Sequence, residues 1–307
     1  MSFLFPQSEI PEWAYFFTQA EYETFIKCID DYFKEKQISY ELNSDGSLQA
    51  SSSEMDSKTF WLTNLAQTCK RNAPAYYTEI VSDHFNNMAR IFAFKKEFES
   101  IASDYQQVEQ YIGIKIYPLE YITYIGAEHT ISINIVDDIF AVLVFDFPHA
   151  IENIKPDQTV PWNRTTEELF EKAKKNSRIH YKFDLIEKGF DNFSAWIIEG
   201  DHPFVPNILF ELTDHPQLIG PKGALVGIPT RDSAIFYPID NLQVTKAINT
   251  LIPIIYRIDQ KGPGSISNKL IWYRDGIFEN LPYEIIDNKI EFYPTENFVE
   301  MLNSMAG

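Results

Sequence analysis

Cysteine occurs only twice in 307 residues, as Cys28 and Cys69, so no disulfide framework organises this chain. Both fall within helical patterns, where buried free thiols are expected. Glycine is sparse at 12 residues, and with 17 prolines it excludes collagen-like and low-complexity classes. No run approaches the roughly 20 apolar residues that a membrane-spanning helix needs. The longest pure run, Ile139–Phe145, has strand length. Near the start, Glu9 and Glu12 replace a basic region and Pro6 and Pro11 interrupt a short apolar stretch, so a signal peptide is not expected. Cytoplasmic residence follows from these absences.

Basic side chains are also few. Lys and Arg number 26 against 44 Asp and Glu, a formal net charge of −18. Phosphate binding needs clustered cations, so nucleic acid is not an expected partner. Sequence signatures of common enzymes are missing too: there is no phosphate loop with Lys-Ser/Thr, no GxGxxG, no HExxH, no GxSxG and no CxxC. Histidines are dispersed, and neither a metal nor an organic cofactor is expected.

What the chain has is apolar patterning of two kinds. Up to about Tyr105 the spacing is mostly helical. Thr18 and Glu21 form a capping box ahead of Tyr22, Phe25, Ile26, Ile29, Tyr32 and Phe33 on one face. A hairpin turns at Asn43–Gly46, and further helices are predicted from Lys58 to Arg71 and from Pro74 onward. After that the period shortens: Ile112, Ile114 and Ile116 alternate, as do Ile131, Ile133 and Ile135. Ile139–Phe147 reads as a buried strand, Thr165 and Glu168 as a second capping box, and Val244–Gln260 as a helix that Pro253 should kink or divide. The prediction is an α+β protein: a helical region with a small hairpin over 1–105, and a mixed-sheet region over 106–307, separated by a soft boundary.

Polar candidates are judged against local chemistry. Asp146 follows the apolar strand, where a carboxylate can enter a cleft. Pro229-Thr-Arg-Asp232 and Tyr273-Arg-Asp-Gly276 each place an Arg beside an Asp at a strand-ending turn. The local reading is turn chemistry with a solvated Arg. The functional reading is a rim on which Arg231, Asp232 and Arg274 face a partner, because Arg presents a rigid fork of donors. Asp201-His202-Pro203 and Asp214-His215-Pro216 repeat one tripeptide. If a single helix joins them, the two histidines stand about 20 Å apart, too far for one metal. Asp201 then reads as a helix cap.

Several stretches resemble YtpQ-like bacterial proteins of unknown function and their longer relatives. They include Asn64-Leu-Ala-Gln-Thr-Cys69, Val144-Phe-Asp-Phe-Pro148, Gly223-Ala-Leu-Val-Gly-Ile-Pro-Thr-Arg-Asp232 and Gly262-Pro-Gly-Ser-Ile-Ser267 with Trp272-Tyr273. The resemblance implies a fold relationship and no catalytic residues.

The function expected from the sequence is non-enzymatic protein binding, immunity-like or regulatory. Its grounds are the acidic charge and 46 aromatic residues, 17 of them Tyr, whose apolar bodies and polar tips suit interfaces. The alternative is an enzyme of unfamiliar type with a polar cleft near Asp146, Arg231 and Asp232, with His202 a further candidate.

Overall fold

In the computed structural model, which describes residues 10–51, 59–260, 264–287 and 289–306, the first capping box is formed and starts α1 (Gln19–Glu35). The chain divides into two units, Met1–Ile101 and Ala102–Gly307. In the first unit α1 is followed by β1 (Ser39–Leu42), β2 (Ser47–Ser51), β3 (Thr59–Trp61), α2 (Thr63–Lys70) and the long α3 (Tyr77–Ile101). Apolar side chains recurring at helical spacing bury Phe25, Ile29 and Phe33 of α1 against Tyr77, Val81 and Phe85 of α3. Aromatic rings fill this core: Phe33 meets Phe85 edge-on at 4.8 Å, and Tyr32 stacks on Phe85 at 5.2 Å.

The helix expected from Lys58 to Arg71 starts later, at Thr63, and Lys58 lies outside the described residues. Thr59–Trp61 is the third strand of an antiparallel sheet. Phe60 points inward opposite Leu48 while Thr59 and Trp61 face out, a period of two that helical counting overlooks.

The second unit opens with a short helix, α4 (Tyr105–Val108), and a four-stranded sheet of β4 (Ile112–Pro118), β5 (Ser132–Val136), β6 (Ile139–Phe147) and β7 (Ala150–Asn153), with α5 (Leu119–Ile125) after β4. β6 is central and pairs with the other three strands, which is why it is apolar on both faces. After the short α6 (Pro156–Thr159), the second capping box starts α7 (Thr166–His180), which packs on β4.

A six-stranded sheet follows. It is built from β8 (Asp184–Gly189), β9 (Ser194–Glu199), β10 (Ala224–Thr230), β11 (Ser233–Pro238), β12 (Leu270–Arg274) and β13 (Ile277–Leu281), in the order β13-β12-β10-β11-β9-β8. Helix α8 (Val244–Asp259) lies on β10, a further hairpin pairs β14 (Tyr283–Ile286) with β15 (Lys289–Phe292), and α9 (Glu296–Ala306) closes the unit.

The α+β class is therefore observed, with one correction: the sheets are antiparallel and not mixed. Most neighbouring strands are joined by connections too short for a parallel crossover. Helical crossovers do not change this: α5 carries the chain from β4 past β6 to β5, and α8 carries it from β11 past β10 to β12, and each strand so reached runs antiparallel to the one passed.

Two smaller expectations change. Pro253 sits inside an undivided α8, whose apolar stripe of Val244, Ala247, Ile248, Leu251, Ile252 and Ile255 is buried along its length. Residues Val205–Phe210 form a 3-10 helix with no side-chain cap from Asp201; instead the Phe204 N–H donates to Nδ1 of His202 at 3.3 Å. Among the described residues no helix is long and apolar enough to cross a membrane.

Candidate functional site

Two regions of the second unit concentrate chemistry, one open and one closed. The open one begins at the turn between β12 and β13. Asp275 and Gly276 both have positive φ, 51° and 83°, the pairing that a two-residue hairpin turn with right-handed strand twist requires. Alternation along β12 puts Trp272 and Arg274 on one face. Trp272 is anchored by an Nε1 bond to the Lys222 carbonyl at 3.0 Å and by an edge-on contact with Phe298 of α9 at 5.2 Å. The Arg274 guanidinium then lies 5.8 Å from the Trp272 ring centroid, and its Nε pairs with Asp275 at 3.2 Å. A groove of about 480 Å³ runs between this hairpin and α9, past Lys222, Ile277, Glu279 and Met301. Ile277 is 68% exposed on the edge strand of the sheet. The groove combines the residue types that dominate protein interfaces, Trp, Arg and Met, with a mixed-charge rim.

The closed region surrounds Asp146 on β6. The Tyr181 hydroxyl donates to its carboxylate, and the Tyr181 ring stacks on Phe204 at 4.3 Å and leans on His202 at 4.6 Å. Burial raises the Asp146 carboxyl above the usual range, while the Tyr181 hydrogen bond, His180 and His202 pull it the other way. Gly113 lies beside it on β4, where an added Cβ would stand 3.3 Å from that of Asp146. Asn207 closes the far wall. It is 1% exposed, and its Nδ2 donates to the Ile114 carbonyl at 2.9 Å and to Ser177 Oγ at 3.0 Å. Asn176 ties α7 to the same strand end through bonds to the carbonyls of Glu109 and Ile112, at 2.7 and 2.8 Å. The enclosed volume is about 10 Å³, room for one water-sized guest.

Arg231 belongs to neither region. Its neighbour Asp232 accepts from the Thr230 hydroxyl at 2.5 Å, and the Arg231 backbone N–H donates to the Gly264 carbonyl at 2.9 Å. Its charge instead reaches Lys115 and Tyr117 of β4. Lys115 stands 4.9 Å over the Tyr117 ring, and Tyr117 stacks in parallel on Tyr121 at 3.7 Å. Burial, with Arg231 second, lowers Lys115 to about 8. Among the described residues neither cation has a carboxylate within ion-pair distance. Arg274 and Asp275 are thus brought together, Arg231 and Asp232 are not, and Asp146 interacts with Tyr181 and two histidines.

His202 and His215 do not stand at the two ends of one helix. Both pack on Phe183, at 6.3 and 6.2 Å, because the segment between them folds as successive 3-10 turns. Among the described residues no three His, Cys, Asp or Glu side chains gather in a metal-ligating group.

Asn207 and Glu211 escaped notice in the sequence. A single Asn within Phe204-Val-Pro-Asn-Ile-Leu-Phe210 was a usable signal, since a polar residue in an apolar run must find hydrogen bonds inside. Lys115 carried a similar one between Ile114 and Ile116. No family model, curated protein or solved structure matches this chain.

Proposed function

We propose that the chain is a non-enzymatic, protein-binding molecule, of immunity-like or regulatory type, that engages its partner through the groove beside Arg274. The carrying observation is Arg274 held over Trp272 by Asp275 at the lip of an open groove of about 480 Å³. A pre-oriented guanidinium loses little entropy on binding, and Arg and Trp are enriched among residues that dominate binding energy.

The rest of the surface fits this reading. Tyr124 is 86% exposed and Tyr15 78%, on a molecule of net charge −18 that favours a partner with a basic face. Cys28 and Cys69 are free and buried, as suits a reducing cytosol. The enzymatic alternative has less support, because the space beside Asp146 is about 10 Å³ and holds no substrate larger than water.

The test uses wild type and Arg274→Ala as baits in native lysate, with captured proteins quantified by mass spectrometry. A protein held by wild type should fall about tenfold or more with Arg274→Ala, while both baits melt at the same temperature. Equal capture by the two baits refutes the assignment of the groove.

A further inference from the structure

Beside the turn that leads into α8 lies another open cavity, of about 390 Å³, within the size range of small-molecule sites. Strands β8, β9 and β11 contribute to its lining. Glu187 of β8 and Trp196 of β9 are register partners, so alternation puts them and Ser194 on one face of the sheet. The Ser194 hydroxyl donates to Glu187 Oε1 at 2.6 Å and fixes that carboxylate. Phe193 meets Tyr237 edge-on at 5.3 Å and adds an aromatic pair. Gln217 and Ile219 come from the segment before β10, and Asp240 and Gln243 from the turn between β11 and α8. Those two segments are tied together: the Lys222 N–H donates to the Ile239 carbonyl at 3.0 Å, and the Ile239 N–H to the Gly223 carbonyl at 2.9 Å. A Cβ on Gly220 would stand 2.5 Å from the Ile239 carbonyl oxygen, so the close approach requires glycine there. Backbone pairing therefore shapes this cavity.

Among the described residues that line it there is no Lys, Arg or His, while Glu187 and Asp240 are acids. An anionic ligand is therefore disfavoured. The unused groups are of both kinds. Trp196 Nε1 is a donor only, the side chains of Gln217 and Gln243 each donate and accept, and the Asp240 carboxylate accepts. None of the four has a hydrogen-bond partner among the described residues. A cation would satisfy Asp240 and leave the Trp196 donor unmatched by the ligand. Hydroxyl groups both donate and accept, so a ring carrying several of them answers every one of these groups. The C–H face of such a ring packs on aromatic side chains, whose faces are electron-rich. The geometry points to a binding site for a neutral hexose-type saccharide, held between the rings of Phe193, Trp196 and Tyr237 and the polar groups of Gln217, Asp240 and Gln243. This site is built from other residues than the Arg274 groove and does not rest on the protein-binding reading. The saccharide can be a free sugar or the terminal unit of a glycan.

The test is a titration of the full-length 15N-labelled protein with glucose, galactose, mannose and N-acetylglucosamine, following the Trp196 indole N–H by NMR. The chain has five tryptophans, and the Trp196 signal is the one lost in Trp196→Phe. At least one sugar should saturate that signal, with Kd on the order of 1–10 mM for a ligand of this size. Argininamide, a cation of similar size, should leave it unmoved. Asp240→Ala, at an exposed position, should keep the melting temperature and weaken the sugar about tenfold. Gln243→Ala, also exposed, takes its place should that variant misfold. The methyl glycosides of the sugar that binds separate the sources: retained binding of either anomer assigns a glycan end, and loss of both assigns a free sugar. No saturable response to any of the four sugars, an equal or stronger response to argininamide, or unweakened sugar binding in the folded variant overturns the site.

Discussion

The Arg274 groove and the Asp146 cavity lie in the same unit and use polar chemistry in opposite ways. In the groove, charge sits in water: Arg274 and Asp275 are exposed, their pair is screened, and the contact adds little to stability. In the cavity, uncharged amides are shut away from water and hold β4 to α7 and to the 3-10 segment at Val205–Phe210. Leaving such groups unpaired is costly, so each is a structural commitment. The difference separates residues available for recognition from residues required for folding, and it orders the expected effects of substitution.

The largest effect belongs to Asn207. Replacing it with Ala strands the Ile114 carbonyl, leaves a void and removes the link to Ser177. Asn207→Ala should lose about 2–4 kcal/mol in urea unfolding. A loss below about 1 kcal/mol would break the contrast between cavity and groove.

Glu211 follows. It is 6% exposed, its Oε1 has no partner, and burial lifts its carboxyl to about 7, with Asp214 adding and Arg178 opposing. The folded state therefore holds a proton between pH 4.5 and 7 that the unfolded chain releases. Stability from this group rises as pH falls from 7 toward 4.5, and is absent above 7. Glu211→Gln imitates the protonated form, so it should stabilise the protein at pH 8 by roughly 1–3 kcal/mol and make no difference near pH 4. Equal stability of the two proteins at pH 8 would show that Glu211 is solvated there.

These contrasts were only partly legible in the sequence. Helices α1 and α7 could be read because the capping box and the amphipathic stripe agree within a short window. The β12–β13 hairpin was equally visible, since Asp-Gly supplies the positive φ that its turn needs. β3 was missed because three residues carry too few periods to outweigh a helical neighbour. The cavity was missed for a different reason: Asn176 and Asn207 reach the carbonyls of Ile112 and Ile114 across 64 and 93 residues, and Tyr181 reaches Asp146 across 35, which no local pattern encodes. Of the site candidates, Arg274 was readable with its partner because Asp275 is adjacent, whereas the neighbours of Arg231 are set by tertiary packing.

The smallest effect comes from the two Arg-Asp turns, which look alike in sequence and differ in structure. Arg274 has both a carboxylate and an aromatic ring, so Arg274→Ala removes two weak attractions and should cost at most about 0.5 kcal/mol. Arg231 faces Lys115, and the two cations repel. Lys115 titrates near 8 and an ordinary lysine near 10.5, so the folded state loses stability as pH falls from 10.5 to 8 and remains penalised below it. Burial is the larger cause and survives any change at Arg231. Arg231→Ala removes only the repulsion: it should move Lys115 upward by less than about one pH unit and raise stability at pH 7 by a few tenths of a kcal/mol. The Lys115 shift can be followed by NMR of its Nζ and Cε, and the stability by urea unfolding. The sign decides the matter. A loss of stability with Lys115 unmoved would mean that Arg231 has an attractive partner, and the two turns would then be equivalent after all.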